Sequence, residues 1–304
     1  MDYQNKLQQI LAASGLSQES LSTKIGVSFV TLNSWVNGRS TPTRADYLAR
    51  IDQVYAEIIG ATATNPNQLT ALKRQAIAHR LTARRLLENR PLLDKITLNL
   101  TYHTDAIEGS TMTKMDVSEV IFDNKVLKNR TATEQREAIN HQTALHFLLD
   151  ELTDKARPFT FTPALIRAVH LRLMNGIISD AGTYRNHSVR IMGSSVALAN
   201  FIKIPELLLS LCSRLNEETT DPIGLLAHTH ADFEQIHPFS DGNGRTGRLI
   251  IFAKALTLGI LPPIIERERK SAYYKYLEQA QTKSEFDQLE QLLAESILKA
   301  AASL

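Results

Sequence analysis

Cysteine is almost absent from this sequence of 304 residues, and long apolar runs are missing altogether. With Cys212 as its one cysteine, the chain cannot form an internal disulfide, which fits a reducing compartment. No stretch approaches the ~18 apolar residues of a membrane-spanning helix. The first residues, Asp2 and Gln4 among them, lack the apolar core of a secretion signal. These absences predict a cytoplasmic chain without a membrane partner.

An excess of charge of one sign is also lacking. The chain has 34 Lys and Arg residues against 32 Asp and Glu residues, so its formal net charge of +2 says little about partners. Hydrophobic residues make up 43% of the chain and charged residues 22%, which is enough to bury a full core. No internal repeat or low-complexity tract interrupts it. The length leaves room for about two domains.

One short run concentrates polar chemistry. It reads His237-Pro238-Phe239-Ser240-Asp241-Gly242-Asn243-Gly244-Arg245-Thr246-Gly247-Arg248. Apolar residues recur with helical spacing from Leu225 to Ile236 before it, and the stretch from Leu249 to Leu256 after it is apolar, so we expect a helix, a loop and a second helix. The loop then stands at a helix N-terminus, where unpaired amides and the positive end of the dipole favour an anion. The run therefore predicts phosphate binding.

The side chains of the run fit the handling of a nucleotide. Gly242 and Gly244 let the backbone approach an anion, while Arg245 and Arg248 are three residues apart and can clamp phosphate oxygens from one helix face. The carboxylate of Asp241 is an oxygen ligand suited to Mg²⁺, which usually takes one or two carboxylates together with substrate phosphates. An imidazole such as that of His237 can accept a proton near neutral pH. Together they predict transfer of part of a nucleotide.

The run is similar, at every defining position, to the His-Pro-Phe-x-Asp/Glu-Gly-Asn-Gly-Arg-x-x-Arg motif of the Fic (Fido) family. The resemblance implies an all-α Fic fold in which a Tyr, Thr or Ser hydroxyl of a protein, which includes the chain itself, receives AMP from ATP. It implies His237 as base, Asp241 as ligand of Mg²⁺, and a phosphate site made by Gly242, Asn243, Gly244, Arg245 and Arg248. Relatives of the Doc type transfer the γ-phosphate and carry Lys at the position of Gly244, so this loop resembles the AMP-transferring pattern. Transfer of another phosphate-linked group stays open.

A second pattern lies upstream, in Thr104-Asp105-Ala106-Ile107-Glu108-Gly109. It is similar to the Ser/Thr-x-x-x-Glu-Gly/Asn signature of the inhibitory helix of the family, which we place near residues 98–110. The resemblance implies that Glu108 pairs with Arg248 and withholds it from the γ-phosphate. A carboxylate and a guanidinium can form two parallel charge-assisted hydrogen bonds, so this competition is physically sound. Whether Glu108 also supports removal of AMP stays open.

Two further segments carry weaker resemblances. From Gly182 to Gly193, alternation of apolar and polar residues followed by turn residues predicts a short β-hairpin. It is similar to the flap of the family, which implies that Val189, Ile191, Met192 and Gly193 hold the target by strand addition; a plain surface hairpin is the alternative. The tyrosine-rich stretch that contains Tyr274 resembles a helix that walls the adenine pocket, although core packing explains it equally well.

The N-terminal region has the pattern of a second domain. Ser17 gives an N-cap signal, and Leu16, Leu21 and Ile25 form an apolar stripe around it. Ser28 precedes a second helix expected from Phe29 to Val36. The stretch resembles the helix-turn-helix of Cro and repressor-type (XRE) domains, which implies DNA as a partner. Residues 1–60 hold five basic and five acidic residues, so no positive field attracts DNA, and protein binding or formation of a homodimer is the alternative.

The predicted organisation is a helix-turn-helix domain over 1–58, a linker and connecting helix over 59–92, and an all-α catalytic domain over 93–304. Two overall functions follow from it. In the first, the chain is a protein adenylyltransferase whose N-terminal domain localises or dimerises it. In the second, it is a DNA-binding transcriptional regulator whose catalytic domain modifies mainly itself.

Overall fold

The chain is built from α-helices. The computed structural model describes residues 2–14, 16–58, 65–191 and 193–304. Within those ranges the only β-type pairing is an isolated bridge between Arg80 and Ile260. The all-α fold class expected from the sequence is confirmed. None of the described helices is long and apolar enough to cross a bilayer.

Contacts divide the described chain into two compact units. The first comprises the residues up to Asn65 together with Ser271–Tyr276, and the second comprises Pro66–Lys270 together with Leu277–Leu304. The predicted linker begins with residues 59–64, which lie outside the described residues. Helix Pro66–Ala78 follows them and packs against the last helix of the second unit.

The first unit contains four N-terminal helices. They are α1 (Tyr3–Ser14), α2 (Gln18–Ile25), α3 (Phe29–Val36) and α4 (Ala45–Ile58). Ser17 and Ser28 cap α2 and α3, since each side chain accepts a hydrogen bond from a first-turn amide. Gly26 ends α2 at a φ of 81°, a left-handed conformation that glycine adopts at little cost. The predicted bounds of α3 are confirmed.

An apolar core holds these four helices together. Its members are buried, with Leu21 and Ile25 from α2, Leu32 and Trp35 from α3, and residues of α1 and α4 around them. The apolar stripe predicted for α2 therefore faces the core, except that Leu16 precedes the helix. The arrangement is that of a helix-turn-helix domain.

The second unit contains the other helices. They are α5 (Pro66–Ala78), α6 (Ala83–Leu87), α7 (Arg90–Glu108), α8 (Lys114–Phe122), α9 (Ala132–Thr153), α10 (Pro163–Leu173), α11 (Ile204–Asn216), α12 (Pro222–Ile236), α13 (Asn243–Thr257), α14 (Lys270–Lys283) and α15 (Asp287–Ser303), with α14 shared between the units. Helix α13 lies at the centre, because it packs against α7, α9, α10 and α12. Burial of this helix on every side explains the apolar stretch after Arg248, in which Lys254 is the one charged residue up to Leu256.

The predicted β-hairpin is corrected by the structure. Residues 182–191 and 193–200 contain turns and extended backbone but no strand, and the turn is closed by Ser194 N, which donates to Ile191 O at 3.2 Å. A two-stranded ribbon is marginal without a third strand or a packed face, and here two carbonyls of the segment, those of His187 and Ala199, accept from the Arg185 side chain instead. Met192 lies outside the described residues.

Candidate functional site

The motif loop joins α12 to α13. Helix α12 ends at Ile236. The next residue, His237, has a φ of 48° and a ψ of 61°, which place it in the left-handed region, rare for a residue with a side chain. Helix α13 begins after Gly242, which also has a positive φ of 76°. A Cβ at Gly242 would stand 2.6 Å from Met174 Sδ, so only glycine fits. The loop is thus a sharp turn that leads into a helix N-terminus.

Asn243 closes this turn with its side chain. Phe239 N donates to Asn243 Oδ1 at 3.0 Å, and Asn243 Nδ2 donates back to Phe239 O at 2.8 Å. Thr246 Oγ1 donates to Gly242 O at 2.8 Å. The hydrogen bonds of the Asn243 side chain therefore stabilise the loop. The backbone amides of the first turn of α13 remain as the donors that an anion needs.

The imidazole of His237 is held in one tautomer. Its Nδ1 lies 3.2 Å from the carbonyl oxygen of Glu234, which can only accept, so Nδ1 carries the proton. Burial lowers the pKa of His237, and the nearby Arg185 charge lowers it further against the opposing effect of the Glu234 carbonyl. The ring is therefore neutral near pH 7 and presents Nε2 as a proton acceptor.

His170 fixes the other side of the loop and was missed in the sequence. Its Nδ1 accepts from Gly182 N at 2.9 Å, so Nε2 is the donor to Asp241 O, also at 2.9 Å. The ring stacks on Phe239 with centroids 3.6 Å apart. Burial lowers the pKa of His170 to about 4, which keeps it neutral. A histidine in α10, far from the motif, carries no local signal of this role.

Asp241 is exposed at the edge of the loop. Its Oδ1 accepts from Gly242 N at 2.6 Å, which orients the carboxylate. Among the described residues no group of three or more His, Cys, Asp or Glu side chains could hold a metal ion by itself. A single oriented carboxylate suits Mg²⁺, which fills its other positions with water and phosphate oxygens. The residues present thus fit a magnesium ion that arrives with a nucleotide.

The two arginines of the motif lie on α13 and are almost fully buried. Arg245 is 4% exposed, and its Nη1 donates to Glu137 Oε1 of α9 at 2.7 Å. Arg248 is 3% exposed and pairs with Glu108, the last residue of α7. The expected pairing of Arg248 with Glu108 is thus present in the fold.

Thr104 shares Arg248 with Glu108. Arg248 Nε donates to Thr104 Oγ1 at 2.5 Å, and Nη2 donates to both Glu108 Oε1 and Thr104 O. Thr104 and Glu108 are four residues apart on α7, so they lie on one face of that helix. Burial raises the pKa of Glu108, but the charge and hydrogen bond of Arg248 outweigh it and hold that pKa below its ordinary value. Glu108 is therefore a carboxylate at neutral pH.

Two buried carboxyl groups surround this ion pair. Burial raises the pKa of Asp105 on α7 to about 7 and that of Glu234 on α12 to about 8, and the charge of Arg248 offsets only part of each shift. Neither Asp105 oxygen has a hydrogen-bond partner among the described residues. Near pH 7 both groups are protonated to a large extent, so Glu108 is the ionised carboxylate that neutralises Arg248.

Gly244 lies beneath the carboxylate of Glu108. A Cβ built at Gly244 would collide with Glu108 Oε1 and stand 3.1 Å from Arg248 Nη1. Gly244, the position at which the γ-phosphate-transferring relatives carry Lys, thus lies directly against the Glu108 carboxylate. The structure brings together the residues expected at the site, namely His237, Asp241, Gly242, Asn243, Gly244, Arg245, Arg248 and Glu108.

The remaining predicted residues belong to two other segments of the chain. Val189, Ile191 and Gly193 lie in the irregular segment after Arg185, where Ile191 is 37% exposed. Tyr274 lies on α14, in the segment assigned to the first unit, and is 41% exposed. Its ring centroid is 5.2 Å from that of Tyr273. Contact of Tyr274 with a nucleotide stays a prediction.

Comparison with known proteins supports the resemblance. Residues 160–253 match the Fic/DOC family, and residues 7–55 match a helix-turn-helix family. The chain is 30% identical over 187 residues to the protein adenylyltransferase Fic of Nematostella vectensis, a match that covers 59% of this chain and 42% of the relative. It is 30% identical over 179 residues to the protein adenylyltransferase fic-1 of Caenorhabditis elegans, covering 58% of this chain and 35% of the relative. The matches thus span less than half the length of these relatives.

Solved structures share the fold. A fragment of Fic-1 from Caenorhabditis elegans superposes with a TM-score of 0.65 at 23% identity, covering 97% of this chain and 98% of the fragment. A Fic family protein from Desulfovibrio desulfuricans superposes with a TM-score of 0.64 at 24% identity, covering 80% of this chain and 76% of that structure. These likenesses establish the Fic fold of the chain.

Proposed function

Because the chain carries a Fic/DOC domain over residues 160–253, we propose that it is a protein adenylyltransferase, which transfers AMP from ATP to a Tyr, Thr or Ser hydroxyl of a protein. The observation that carries the proposal is the geometry of the turn from His237 to Gly242. The turn brings a neutral imidazole directly before the N-terminus of α13, the helix that carries the two buried guanidinium groups of Arg245 and Arg248. The similarity of the chain to protein adenylyltransferases of the Fic type supports the same activity.

His237 acts as the general base. Its Nδ1 proton is committed to the Glu234 carbonyl, so Nε2 takes the proton of the target hydroxyl. The hydroxyl oxygen then attacks the α-phosphorus, a new P–O bond forms, and pyrophosphate leaves as the bond to the β-phosphate breaks. General-base catalysis of this kind contributes about 10² to 10⁴ in rate.

The phosphates lie over the N-terminus of α13. The amides of its first turn, together with Gly242 and Gly244, receive the anion, and Arg245 supplies positive charge for the transferring group. Arg248 binds the γ-phosphate. Since Arg248 is already paired with Glu108 and Thr104, ATP binds productively only when it displaces the carboxylate.

Asp241 is the protein ligand of Mg²⁺. The ion, when bound, neutralises phosphate charge and stabilises the leaving pyrophosphate. The Asp241 side chain is exposed and oriented by the Gly242 amide, so it would be the carboxylate that holds the ion.

The resting protein is autoinhibited by Glu108. The segment that contains Val189, Ile191, Met192 and Gly193 presents the target, and Tyr274 borders the adenine. The target is a protein hydroxyl, with the chain itself as one candidate, and a second copy of the chain is a candidate partner. A cytoplasmic location is part of the proposal, since the one cysteine of the chain, Cys212, cannot form an internal disulfide.

Intact-mass spectrometry after incubation with ATP and Mg²⁺ tests the activity directly. We expect a mass increase of one AMP on the Glu108→Gly variant and little or none on the unmutated chain. An added phosphate would show γ-phosphate transfer instead, and an unchanged mass would contradict self-modification. Incubation with a cell lysate and labelled ATP then reports targets other than the chain itself.

DNA binding by residues 1–58 is a second candidate function, and one observation favours it. Asn33 Nδ2 on α3 donates to Gln18 Oε1 on α2 at 2.9 Å. Asn and Gln are the residue types that read adenine in the major groove, and here their side-chain amides lie side by side. Phe29 and Val30 beside them are 50% and 76% exposed, which suits contact with thymine methyl groups. In this case the chain is a transcriptional regulator whose Fic domain modifies mainly itself.

A gel-shift titration separates the two functions. A fragment of residues 1–58 and the full chain are each titrated with random-sequence DNA at low and raised salt. A shift that weakens with salt and is lost in the Asn33→Ala variant supports DNA binding. Absence of any shift at low salt leaves protein binding or dimerisation, which sedimentation of the full chain detects.

A further inference from the structure

Arg185 is a buried arginine whose guanidinium group binds only main-chain carbonyls. It is 3% exposed, and burial lowers its pKa, yet no carboxylate among the described residues pairs with it. A buried charge without a counter-ion is costly, so hydrogen bonds must satisfy it. Through Nε, Nη1 and Nη2 the guanidinium group donates four hydrogen bonds, and the carbonyl oxygens that accept them belong to two different segments of the second unit.

One segment is the turn of the candidate base. Arg185 Nε donates to His237 O at 2.7 Å, and Nη2 lies 3.3 Å from Ile236 O. The main-chain amide of Arg185 also donates to Pro238 O at 2.9 Å. Three consecutive carbonyls, those of Ile236, His237 and Pro238, are thus fixed by one residue. His237 is the residue with positive φ at this turn, a conformation that persists only where its surroundings enforce it.

The other segment is the one proposed to present the target. Nη1 donates to His187 O at 2.7 Å, and Nη2 donates to Ala199 O at 2.6 Å. These two carbonyls stand on either side of the stretch that contains Val189 and Ile191. The planar fork of one guanidinium therefore binds both ends of the presenting segment and the backbone of the base.

We propose that Arg185 is a positioning residue, which holds the His237 imidazole and the target-presenting segment in a fixed relation to each other. The proposal deepens the proposed function and rests on it for the identity of the reaction. One consequence of this role can be measured without enzymatic activity. Loss of the fork lets the turn relax, so that the imidazole leaves its buried place beside the Glu234 carbonyl.

The Arg185→Lys variant tests this claim, because it keeps the charge while an ammonium cannot span the four carbonyls. The first measurement is the pKa of His237 by NMR titration, with its resonance assigned from the His237→Ala variant. Glu108, Asp241 and Arg185 are the charged groups that act on this imidazole, and all keep their charge in the variant. We expect the pKa of His237 to rise towards its ordinary value as burial is relieved. Arg157→Lys, a 65% exposed arginine outside the site, is the matched control and leaves it unchanged.

The second measurement is AMP transfer in a Glu108→Gly background. We expect Arg185→Lys to lower kcat about 100-fold, the cost of a misplaced reacting group, without changing the Kd for ATP. An unchanged His237 pKa together with an unchanged kcat overturns the proposal. Parallel loss of ATP affinity and kcat, with an unchanged His237 pKa, also overturns it, because that pattern is general destabilisation.

Two further results need a separate reading, an inactive parent and an unfolded variant. If the Glu108→Gly parent transfers no AMP, the proposed function fails, and the NMR titration alone decides the role of Arg185. If Arg185→Lys does not fold, Arg185→Ala is prepared at low temperature with added guanidinium ion, which can occupy the vacated site. If guanidinium ion returns the pKa of His237 in Arg185→Ala to the value of the unmutated protein, the proposal is supported. If the ion shifts this pKa no more in the variant than in the unmutated protein, the proposal is overturned.

Discussion

Arg248 donates through Nη2 to Glu108 Oε1, and this ion pair joins the C-terminal residue of α7 to the second turn of α13. Thr104, one turn earlier on α7, accepts from the same guanidinium. Two groups on α7 therefore share the charge of Arg248, which is distant from both in sequence. The pair occupies the guanidinium that the proposed reaction needs for the γ-phosphate, so its strength sets the resting activity.

Replacement of Glu108 by Gly should raise self-modification. The variant removes the carboxylate that competes with ATP for Arg248, and a hydrogen bond to a charged group is worth about 1.5–3 kcal/mol, or roughly 10- to 100-fold in rate. Incorporation of labelled AMP into the purified chain is the measurement. Glu285→Gly, which changes an exposed glutamate on a loop, is the control. Equal incorporation by Glu108→Gly and the unmutated chain would contradict autoinhibition.

Replacement of Gly244 by Ala should weaken the hold of Glu108. The new Cβ collides with Glu108 Oε1, the movable end of a side chain, so the carboxylate must shift away from Arg248. In a Glu108→Gly background the collision with the carboxylate vanishes and only the 3.1 Å approach to Arg248 Nη1 remains, while Ala favours the helix by about 0.5–1 kcal/mol. We expect a double-mutant cycle of urea unfolding to give a coupling energy of about 1 kcal/mol or more. Additive effects would show that the two residues do not meet.

Replacement of His237 by Ala should nearly abolish transfer while ATP still binds. The phosphate-binding groups are on α13 and the imidazole is on the turn before it, so the two functions separate. We expect a loss of about 10² to 10⁴ in kcat in the Glu108→Gly background. His79→Ala, an exposed histidine of the second unit, serves as control. Transfer at the parent rate would refute His237 as the base.

Replacement of Asp105 by Asn should stabilise the chain at high pH only. The pKa of Asp105 is raised from 3.8 to about 7 by burial, so the folded protein holds this proton where the unfolded chain has lost it. The stability contributed by the protonated form is complete below about pH 4 and is lost as pH rises through about 7. Urea unfolding at pH 5 and pH 8 should therefore show a gain for Asp105→Asn that grows with pH. Asp94→Asn, whose side chain is 38% exposed, should show no such trend.

The pairing of Glu108 should resist moderate acid. Its pKa lies below 4.5 because Arg248 favours the charged form, so its stabilising contribution is present above that value and is lost as pH falls through the lowered pKa. Between pH 5 and pH 6, where Asp105 and Glu234 stay protonated, the ratio of AMP transfer by Glu108→Gly to that by the unmutated chain should therefore stay constant. A ratio that falls steeply near pH 6 would show that another group controls the inhibition.

Local patterns predicted much of the fold. The serine caps and apolar spacing gave the bounds of α3, and the glycines of the motif gave a turn between two helices, because such features act over a few residues. The prediction of a β-hairpin was wrong because strand pairing depends on contacts beyond the local sequence. Alternation of apolar and polar residues favours a strand, but a strand also needs a partner, and the carbonyls at His187 and Ala199 are taken by Arg185.

The supporting residues of the site had no local signal. His170 reaches Asp241 across 71 residues, and Glu137 reaches Arg245 across 108. A histidine or a glutamate on a helix is usually solvated or packed, and its sequence neighbours do not reveal which. Only the packing of α9 and α10 against α13 selects these partners.

The sequence by itself determined the kind of chemistry, since the spacing from His237 to Arg248 places a base, an anion-binding turn and two guanidinium groups within one loop and the helix that follows. Only the tertiary structure decided how those groups are occupied. Burial removes both arginines from water, so each must have a partner, and helix packing supplies Glu137 to Arg245 and Glu108 to Arg248. The same packing places Arg185 beneath His237, because long-range contacts, rather than local sequence, satisfy the carbonyls of a strained turn.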